Sequence, residues 1–208
     1  MRALSRIAAG LLVLSLAATT AFAVLKTGDS LRPFSLKNVD GKEYMVTLED
    51  GKLTLTVTDN SGGQAKVVKT HPAAVLIDFW ATWCVPCRAA MPYMQKLHEK
   101  YSPAEAQDKG GLKLFGIALD DKGSKVVKPF YAKLQITYPM LADATTGIST
   151  DGILHTAMDM ERAYGVQAIP VVYVFDAKGT IVHVHEGFKP EHITELEGAV
   201  RAAIGGGK

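Results

Sequence analysis

The chain has 208 residues, 48% of them hydrophobic, and a formal net charge of +2. A chain this close to neutral has no large excess of basic residues to bind nucleic acids or anionic membranes, so we expect neither as a partner. The length and apolar content predict one domain with a buried core, and we expect a monomer.

Residues 1–23 have the pattern of a secretory signal peptide. Two arginines precede an apolar stretch that is short for a bilayer span, and an Ala-Phe-Ala cleavage sequence ends at Ala23. Cleavage there would leave residues 24–208 as a mature domain in the periplasm or another exported compartment. The alternative is an uncleaved N-terminal membrane anchor, because apolar residues continue to Leu25.

Residues 24–73 are predicted to form an N-terminal β extension. An extended lead-in is followed by three segments of alternating polarity, at 44–48, 52–58 and 66–69, with turn residues between them. The alternation indicates an antiparallel hairpin or meander with one face in solvent.

The most informative segment follows this extension. Ala74–Trp80 is apolar enough for a buried central strand, and the only two cysteines of the chain, Cys84 and Cys87, come next, at the predicted start of a helix. Unpaired N–H groups and the helix dipole favour the thiolate of the first cysteine, which can attack a disulfide in a partner. The second cysteine then resolves the mixed disulfide. The alternative is an inert structural disulfide, although so short a loop gains little stability from closure.

Strands and helices alternate through the rest of the chain. We predict helices at 86–100, 126–134, 155–164 and 191–204, strands at 112–119, 171–175 and 180–185, an extended piece at 138–141 and a loop at 142–153. Pro92 should kink the first of these helices, and Gly165 should end the third. Two βα units followed by a hairpin and a helix predict an α/β fold around a mixed sheet.

Three motifs in this order resemble the thioredoxin superfamily, and specifically its exported TlpA/ResA-like thiol:disulfide oxidoreductases. They are the lead-in from Gly28 to Lys42, the stretch from Asp78 to Pro92 around the cysteines, and Gly165 to Pro170. The resemblance implies a thioredoxin-like fold, with a central mixed β-sheet flanked by helices and an N-terminal β-hairpin extension. It also implies a protein-disulfide reductase that cycles between dithiol and disulfide without a cofactor or metal.

The resemblance also implies roles for three residues of this motif. Cys84 would be the nucleophile nearer the surface, and Cys87 the buried, resolving thiol. A buried thiol has a raised pKa and needs a base, and Asp78 matches the buried acidic position of thioredoxin. Its carboxyl should lie near Cys87 with a raised pKa. The alternative is a strand-end aspartate paired with a lysine.

Five residues are expected to bind the substrate. Ile169-Pro170 matches the cis-proline of the family, which would leave the backbone edge at Ala168 open to a substrate strand. Trp83 matches the aromatic flap beside the disulfide, although simple packing would also explain it. Pro86 lies between the two cysteines.

The expected partners follow from export. An oxidising compartment keeps cysteines paired, so a reductase there needs an electron donor, and we expect a membrane thiol carrier. No histidine between Cys84 and Cys87 stabilises the thiolate, which favours a reductant over an oxidant. The resemblance implies a disulfide-bearing protein substrate, in cytochrome c maturation or in delivering electrons to another metal-site assembly protein. The sequence does not choose between these two.

A copper-binding chaperone is the alternative function. His183 and His185 would share one face of a strand, and Met158 and Met160 would do so if extended. Together with the two cysteines they could supply ligands for copper. The two-residue spacer between the cysteines argues against this function, since the exported copper chaperones of the superfamily typically use three residues.

Two segments, 49–70 and 142–153, are longer than the family pattern predicts. We expect both to decorate the fold without a role in the chemistry. The alternative is that either segment shapes a surface for a specific partner.

Overall fold

The computed structural model describes residues 24–102, 111–142 and 151–206. The predicted signal segment 1–23 and most of the predicted loop 142–153 lie outside these ranges, so both stay predictions. Within the described ranges, the structure contains no helix with the length and apolar character needed to cross a membrane.

The N-terminal extension forms a four-stranded antiparallel sheet in the order β1-β2-β3-β4. Its strands are β1 (Phe34–Lys37), β2 (Glu43–Glu49), β3 (Lys52–Asp59) and β4 (Lys66–Thr70). Strand β1 lies in the predicted lead-in, so the extension is larger than a hairpin. Asp50 and Gly51 turn the chain between β2 and β3 with φ of 49° and 71°, the left-handed pair that two-residue hairpin loops favour. The long segment 49–70 supplies β3 and β4.

A five-stranded mixed sheet carries the cysteine motif, with its strands in the order β7-β6-β5-β8-β9. They are β5 (Ala74–Trp80), β6 (Leu112–Ala118), β7 (Met140–Leu141), β8 (Val171–Asp176) and β9 (Ile181–Glu186). Strand β6 pairs parallel with β5 and β7, whereas β8 pairs antiparallel with β5 and β9. All seven residues of β5 are buried, so the predicted central strand is confirmed.

The helices of the described ranges are α1 (Val85–Tyr101), α2 (Ser124–Tyr131), α3 (Ala157–Tyr164) and α4 (His192–Gly205). Helix α1 continues past Pro92. Helix α3 ends as predicted at Gly165, whose φ of 67° is left-handed. Helix α2 is shifted from its predicted range of 126–134. After it, Lys133 and Leu134 donate to carbonyls three residues earlier, so the chain tightens into a turn.

Alternate residues of β5 face opposite sides of the central sheet. Ile77 and Phe79 join the core shared with the N-terminal sheet and α3, which we call the extension side. Leu76 and Trp80 join the core shared with α1, α2 and α4, which we call the α1 side. Asp78 faces the α1 side by the same alternation. The predicted fold class, a central mixed sheet flanked by helices with an N-terminal β extension, is confirmed.

Candidate active site

The two cysteines lie at the junction between β5 and α1 and are joined by a disulfide. Cys84 is the N-cap of α1, and its backbone N–H donates to the Ala81 carbonyl at 3.1 Å. Its sulfur accepts a hydrogen bond from the backbone N–H of Cys87 at 3.2 Å. Pro86, in the first turn, has no N–H that would need a partner. The helix N-terminus therefore directs an N–H at the sulfur of Cys84, an arrangement that stabilises a thiolate.

The disulfide is sheltered, whereas its rim is exposed. Cys84 and Cys87 are 4% and 1% exposed, so the expected difference in depth between them is small in the disulfide form. The neighbouring Trp83 and Val85 are 67% and 64% exposed. Packing inside the fold does not explain a tryptophan with this exposure. Large apolar side chains that lie together in solvent are typical of a surface that contacts another protein.

The Ile169–Pro170 peptide bond is cis, as the resemblance implies. The Ile169 carbonyl oxygen lies 3.8 Å from the sulfur of Cys84. A disulfide sulfur has no hydrogen to donate, so this is a packing contact. The Pro170 carbonyl accepts a hydrogen bond from the Gly187 N–H at 2.7 Å, which ties the segment to the end of β9. Ala168 is exposed, and substrate binding by this segment stays a prediction.

Asp78 is buried on the α1 side, with 1% of its surface exposed. Burial raises the pKa of its carboxyl from 3.8 to about 7. No salt bridge in the described part of the chain includes this carboxyl, so the structure does not support a lysine-paired aspartate. Cys87 belongs to the core on the same side of the sheet. The predicted burial is confirmed and the direction of the pKa shift agrees with it, whereas the proximity to Cys87 and the role of base stay predictions.

The polar neighbours of Asp78 are not marked by any motif in the sequence. Burial, and secondarily the Asp78 charge, raises the pKa of the Tyr138 hydroxyl well above its ordinary value of 10. That hydroxyl, Trp80 Nε1 and Asp78 Oδ1 are all buried without a hydrogen-bond partner. Such atoms are rare because each one is destabilising. Tyr138 lies in a short extended piece of sequence that has no functional pattern, so only its position in the fold reveals it.

Asp120 is a second residue that sequence analysis missed. It follows β6 and is 6% exposed. Its carboxylate accepts hydrogen bonds from the backbone N–H of Thr82 at 3.0 Å and from the Thr82 hydroxyl at 2.5 Å. The carboxyl ends of the parallel strands β5 and β6 meet at this edge, where functional residues of α/β sheets concentrate. The position of Asp120 directly after the predicted strand 112–119 was a signal in the sequence that could have pointed to it.

The residues considered as copper ligands do not all lie on one side of the central sheet. Met160 is buried on the extension side, whereas Cys84 and Cys87 belong to the α1 side. His183 and His185 do share a face of β9, with ring centroids 6.2 Å apart. In residues 24–102, 111–142 and 151–206, no group of three or more His, Cys, Asp or Glu side chains is arranged to hold a metal ion.

A histidine pair lies behind the cis-proline. The rings of His185 and His192 have centroids 4.2 Å apart, and both line a small apolar pocket with Pro170 and Phe188. Burial, followed by the charges of His192 and His183, lowers the pKa of His185. The sequence pattern predicts His185 on a strand but gives no sign of its contact with the start of α4.

Comparison with known proteins finds relatives along most of the chain. A family model described as Redoxin matches residues 22–201. Thioredoxin-like protein YneN of Bacillus subtilis (strain 168) is 31% identical over 179 residues, which are 86% of this chain and 88% of that protein. Thiol-disulfide oxidoreductase ResA of Bacillus anthracis is 30% identical over 146 residues, which are 70% of this chain and 72% of that protein.

Solved structures show the same likeness in three dimensions. A crystal structure described as a thiol:disulfide interchange protein DsbE from Chlorobium tepidum has a TM-score of 0.58 and 26% identity, covering 86% of this chain and 99% of that chain. Another, a thioredoxin family protein from Chlorobium tepidum TLS, has a TM-score of 0.54 and 21% identity, covering 88% and 99%, and supports the fold alone. The matched range 22–201 includes both sheets, the disulfide and the cis-proline.

Proposed function

The chain belongs to the redoxin family, and from that premise we propose that this thiol:disulfide oxidoreductase is exported and reduces the disulfides of specific proteins. The observation that carries the proposal is the Cys84–Cys87 disulfide at the N-terminus of α1, in contact with the Ile169 carbonyl before cis-Pro170. The relatives support thiol:disulfide exchange as the activity. Export, the direction of electron flow and the substrate are the proposed parts.

Cys84 starts the reaction in this proposal. In the dithiol form, the N-terminus of α1 stabilises its thiolate, which attacks one sulfur of the substrate disulfide. The substrate S–S bond breaks, one substrate sulfur leaves as a thiolate, and the other forms a mixed disulfide with Cys84. The exposed Trp83 and Val85 lie at the rim where the substrate would dock.

Cys87 completes the exchange. Its thiol must lose a proton, and Asp78 is the proposed base because a carboxyl with a pKa of about 7 is partly ionised at neutral pH. The Cys87 thiolate attacks the sulfur of Cys84, the second substrate thiolate leaves, and the disulfide of this structure forms. Two electrons have then passed to the substrate, so a second dithiol must reduce the chain before the next turnover.

The segment before β8 is the proposed docking edge. Ala168 is exposed, Ile169 is half-buried and Pro170 is buried. Addition of a substrate strand along residue 168 would bring its disulfide next to Cys84, with backbone hydrogen bonds giving affinity. Pro86, which is also exposed, would contact the substrate from α1.

The motif favours reduction over oxidation. Val85 and Pro86 separate the cysteines, so no histidine adds to the stabilisation of the thiolate. A helix N-terminus contributes roughly 0.3–1 kcal/mol at an exposed site. We therefore expect a redox potential near that of thioredoxin, about −270 mV, and far from the roughly −120 mV of a strongly oxidising periplasmic protein.

Such a reductant needs specific partners outside the cytoplasm. An oxidising compartment would return it to the disulfide form, so a membrane thiol carrier is the proposed electron donor. The TlpA/ResA-like resemblance supports apocytochrome c, or another metal-site assembly protein, as the substrate.

Trapping tests the roles of the cysteines and identifies the substrate. Cys87→Ser should accumulate a mixed disulfide with its partner, because attack proceeds without resolution. Cys84→Ser, the matched control, should trap nothing and should not reduce a model disulfide. Both variants are expressed as the full chain, free thiols are blocked at lysis, and mass spectrometry identifies the captured protein. Turnover by Cys87→Ser without trapping would show that the roles are assigned wrongly.

Three measurements test the remaining parts of the proposal. Equilibration with glutathione gives the potential, and a value near −120 mV would reverse the proposed electron flow.

A membrane-impermeant thiol reagent should label the reduced chain in intact cells if it is exported, and protection from the reagent would contradict export. Titration of the reduced protein with Cu(I) against a chelator tests the copper chaperone, which tight stoichiometric binding would support.

A further inference from the structure

We infer that Asp120 is a positioning residue for the redox loop, residues 81–84 between β5 and α1. Through Thr82 it sets the redox potential of the cysteine pair and the rate at which Cys84 attacks a disulfide. The rate rests on the proposed function, whereas the potential is a property of the cysteine pair itself.

Asp120 holds the redox loop at two atoms. Its Oδ2 accepts from the Thr82 N–H at 3.0 Å, and its Oδ1 accepts from the Thr82 hydroxyl at 2.5 Å. Each carboxylate oxygen therefore has one donor from the same residue. Bidentate hydrogen bonds to a charged group are stronger and more directional than neutral ones. We call this pair of bonds the Asp120–Thr82 clamp.

Backbone hydrogen bonds hold the Asp120 side of the clamp against the central sheet. The Leu119 N–H donates to the Trp80 carbonyl at 2.8 Å, which joins the ends of β6 and β5. The Gly123 N–H donates to the Asp120 carbonyl at 2.7 Å and fixes the turn that follows. Asp120 itself is 6% exposed, and a buried carboxylate is tolerated only with such partners. The clamp therefore connects the redox loop to the hydrogen-bonded end of β6, 38 residues away in the chain.

The redox loop depends on this connection. Thr82 precedes Trp83 and Cys84, the exposed rim residue and the proposed nucleophile. Within the loop, the Cys84 N–H bonds to the Ala81 carbonyl at 3.1 Å. Outside it, the Arg88 guanidinium donates to the Thr82 carbonyl at 3.5 Å, near the limit of a hydrogen bond. Loss of the clamp would leave the Thr82 N–H unpaired and free the loop to shift the sulfur of Cys84.

Two measurable effects follow from this geometry. A reacting atom displaced by about 1 Å can lose up to about a hundredfold in rate, so we expect attack to slow between about tenfold and a hundredfold without the clamp. The clamp is formed with the disulfide in place, so its loss should favour the dithiol. When the dithiol exchanges with oxidised glutathione, the products are the disulfide and two reduced glutathiones. We expect the equilibrium constant of this reaction to fall about tenfold, which corresponds to about 30 mV toward oxidising potentials.

The experiment compares substitutions on both sides of the clamp. Asp120→Asn can accept only one of the two hydrogen bonds, so it should shift both the potential and the rate of reduction of a small model disulfide. Thr82→Val removes one bond and should produce a smaller shift in the same direction. Thr82→Ser keeps the hydroxyl and should behave as the parent. The matched control is Asp121→Asn, which removes the same charge from an exposed neighbour outside the clamp.

Coupling between the two residues supplies the decisive comparison. If the clamp acts as a unit, adding Thr82→Val to Asp120→Ala should change the potential no further than Asp120→Ala alone. Full additivity would overturn the inference, as would a parent-like potential in Asp120→Asn. Thermal unfolding checks that each variant is folded. If the Asp120 variants fail to fold, the contrast between Thr82→Val and Thr82→Ser decides, and identical potentials in those two overturn the inference.

Failure of this inference can be told apart from failure of the proposed function. A parent chain that reduces no protein disulfide while Asp120→Asn still shifts the potential would refute the function and support the clamp. A parent chain that reduces its substrate while no clamp variant changes the potential would refute the clamp and leave the function standing.

Discussion

The two sides of the central sheet differ in whether their buried polar atoms have hydrogen-bond partners. On the extension side, the hydroxyl of Tyr164 donates to the Arg32 carbonyl and that of Tyr173 donates to the Tyr164 carbonyl, both at 3.2 Å. On the α1 side, the Tyr138 hydroxyl and Asp78 Oδ1 are buried without a hydrogen-bond partner. Since an unsatisfied buried group is destabilising, these two atoms on the α1 side carry a cost that the two tyrosine hydroxyls on the extension side avoid.

The α1 side is also the side that carries the disulfide. Its carboxyl at Asp78 is poised near neutral pH because burial raises the pKa to about 7. On the extension side, the ring centroid of Phe79 lies 5.5 Å from that of Tyr164 and 6.0 Å from that of Tyr173. These separations are typical of a stabilising aromatic core. The extension side therefore pairs its buried tyrosine hydroxyls and packs its aromatic rings, whereas the α1 side keeps an unpaired carboxyl oxygen on the side of the disulfide.

Phe79→Ala should cause the largest loss of stability and leave the chemistry intact. The side chain is fully buried, so its removal leaves a cavity, and the free energy of unfolding should fall by about 3–5 kcal/mol. Denaturant unfolding of the oxidised protein measures this change, and equilibration with glutathione should return the parent potential. A potential shifted by as much as about 30 mV, a tenfold change in the equilibrium, would show that the two sides are not separable.

Asp78→Asn should stabilise the oxidised protein above pH 7 and have little effect at pH 4. The folded pKa is about 7 and the reference value is 3.8, so between them the folded state keeps a proton that the unfolded state releases. The stability of the parent therefore falls as pH rises through this window. The difference between these two pKa values limits the gain in the free energy of unfolding to about 4 kcal/mol. Urea unfolding of parent and variant at pH 4 and pH 8 measures this gain in the free energy of unfolding. An equal gain at both pH values would contradict burial of the ionised carboxyl as the cause.

The same substitution separates the two steps of the reaction. At neutral pH, Asp78→Asn should slow resolution of the mixed disulfide by Cys87 more than it slows attack by Cys84, because only resolution needs the base. Stopped-flow measurement of both steps tests this. Unchanged rates for both steps would remove Asp78 from the mechanism.

Tyr164→Phe and Tyr138→Phe form a matched pair across the sheet. Tyr164→Phe leaves the Arg32 carbonyl without its donor and should lower the free energy of unfolding by about 1 kcal/mol. Tyr138→Phe removes a buried hydroxyl that has no partner, so it should be neutral or stabilising. Denaturant midpoints of the two variants make the comparison. Equal destabilisation by both would mean that the two sides do not differ.

The smallest expected effect is the pH response of His185, which is opposite in sign to that of Asp78. Burial lowers the pKa of His185 below 6.5, followed by the charges of His192 and His183, against which Glu195 and Glu186 act. The unfolded state therefore binds a proton that the folded state resists, so stability falls as pH drops through 6.5 toward the folded pKa. His185→Gln should flatten the stability profile below about pH 6.5. An unchanged slope would exclude His185 as its source.

Features that depend on near neighbours in the chain could be predicted from the sequence. The apolar run of β5, the glycine that ends α3 and the turn at Asp50-Gly51 all follow from forces that act within a few residues. The thiolate-stabilising position of Cys84 also follows, because a helix N-terminus is a local feature. The cis bond before Pro170 came from the resemblance alone, since most X-Pro bonds are trans.

Only the tertiary structure decided the contacts between distant residues. The clamp joins Asp120 to Thr82 across 38 residues, and it depends on which strand ends meet at one edge of the sheet. Met160 belongs to the core opposite the cysteines, a separation that ligand chemistry in the sequence does not reveal. The pKa of Asp78 is raised by desolvation. Desolvation is a property of the packed core around a side chain, and the residue type alone does not supply it.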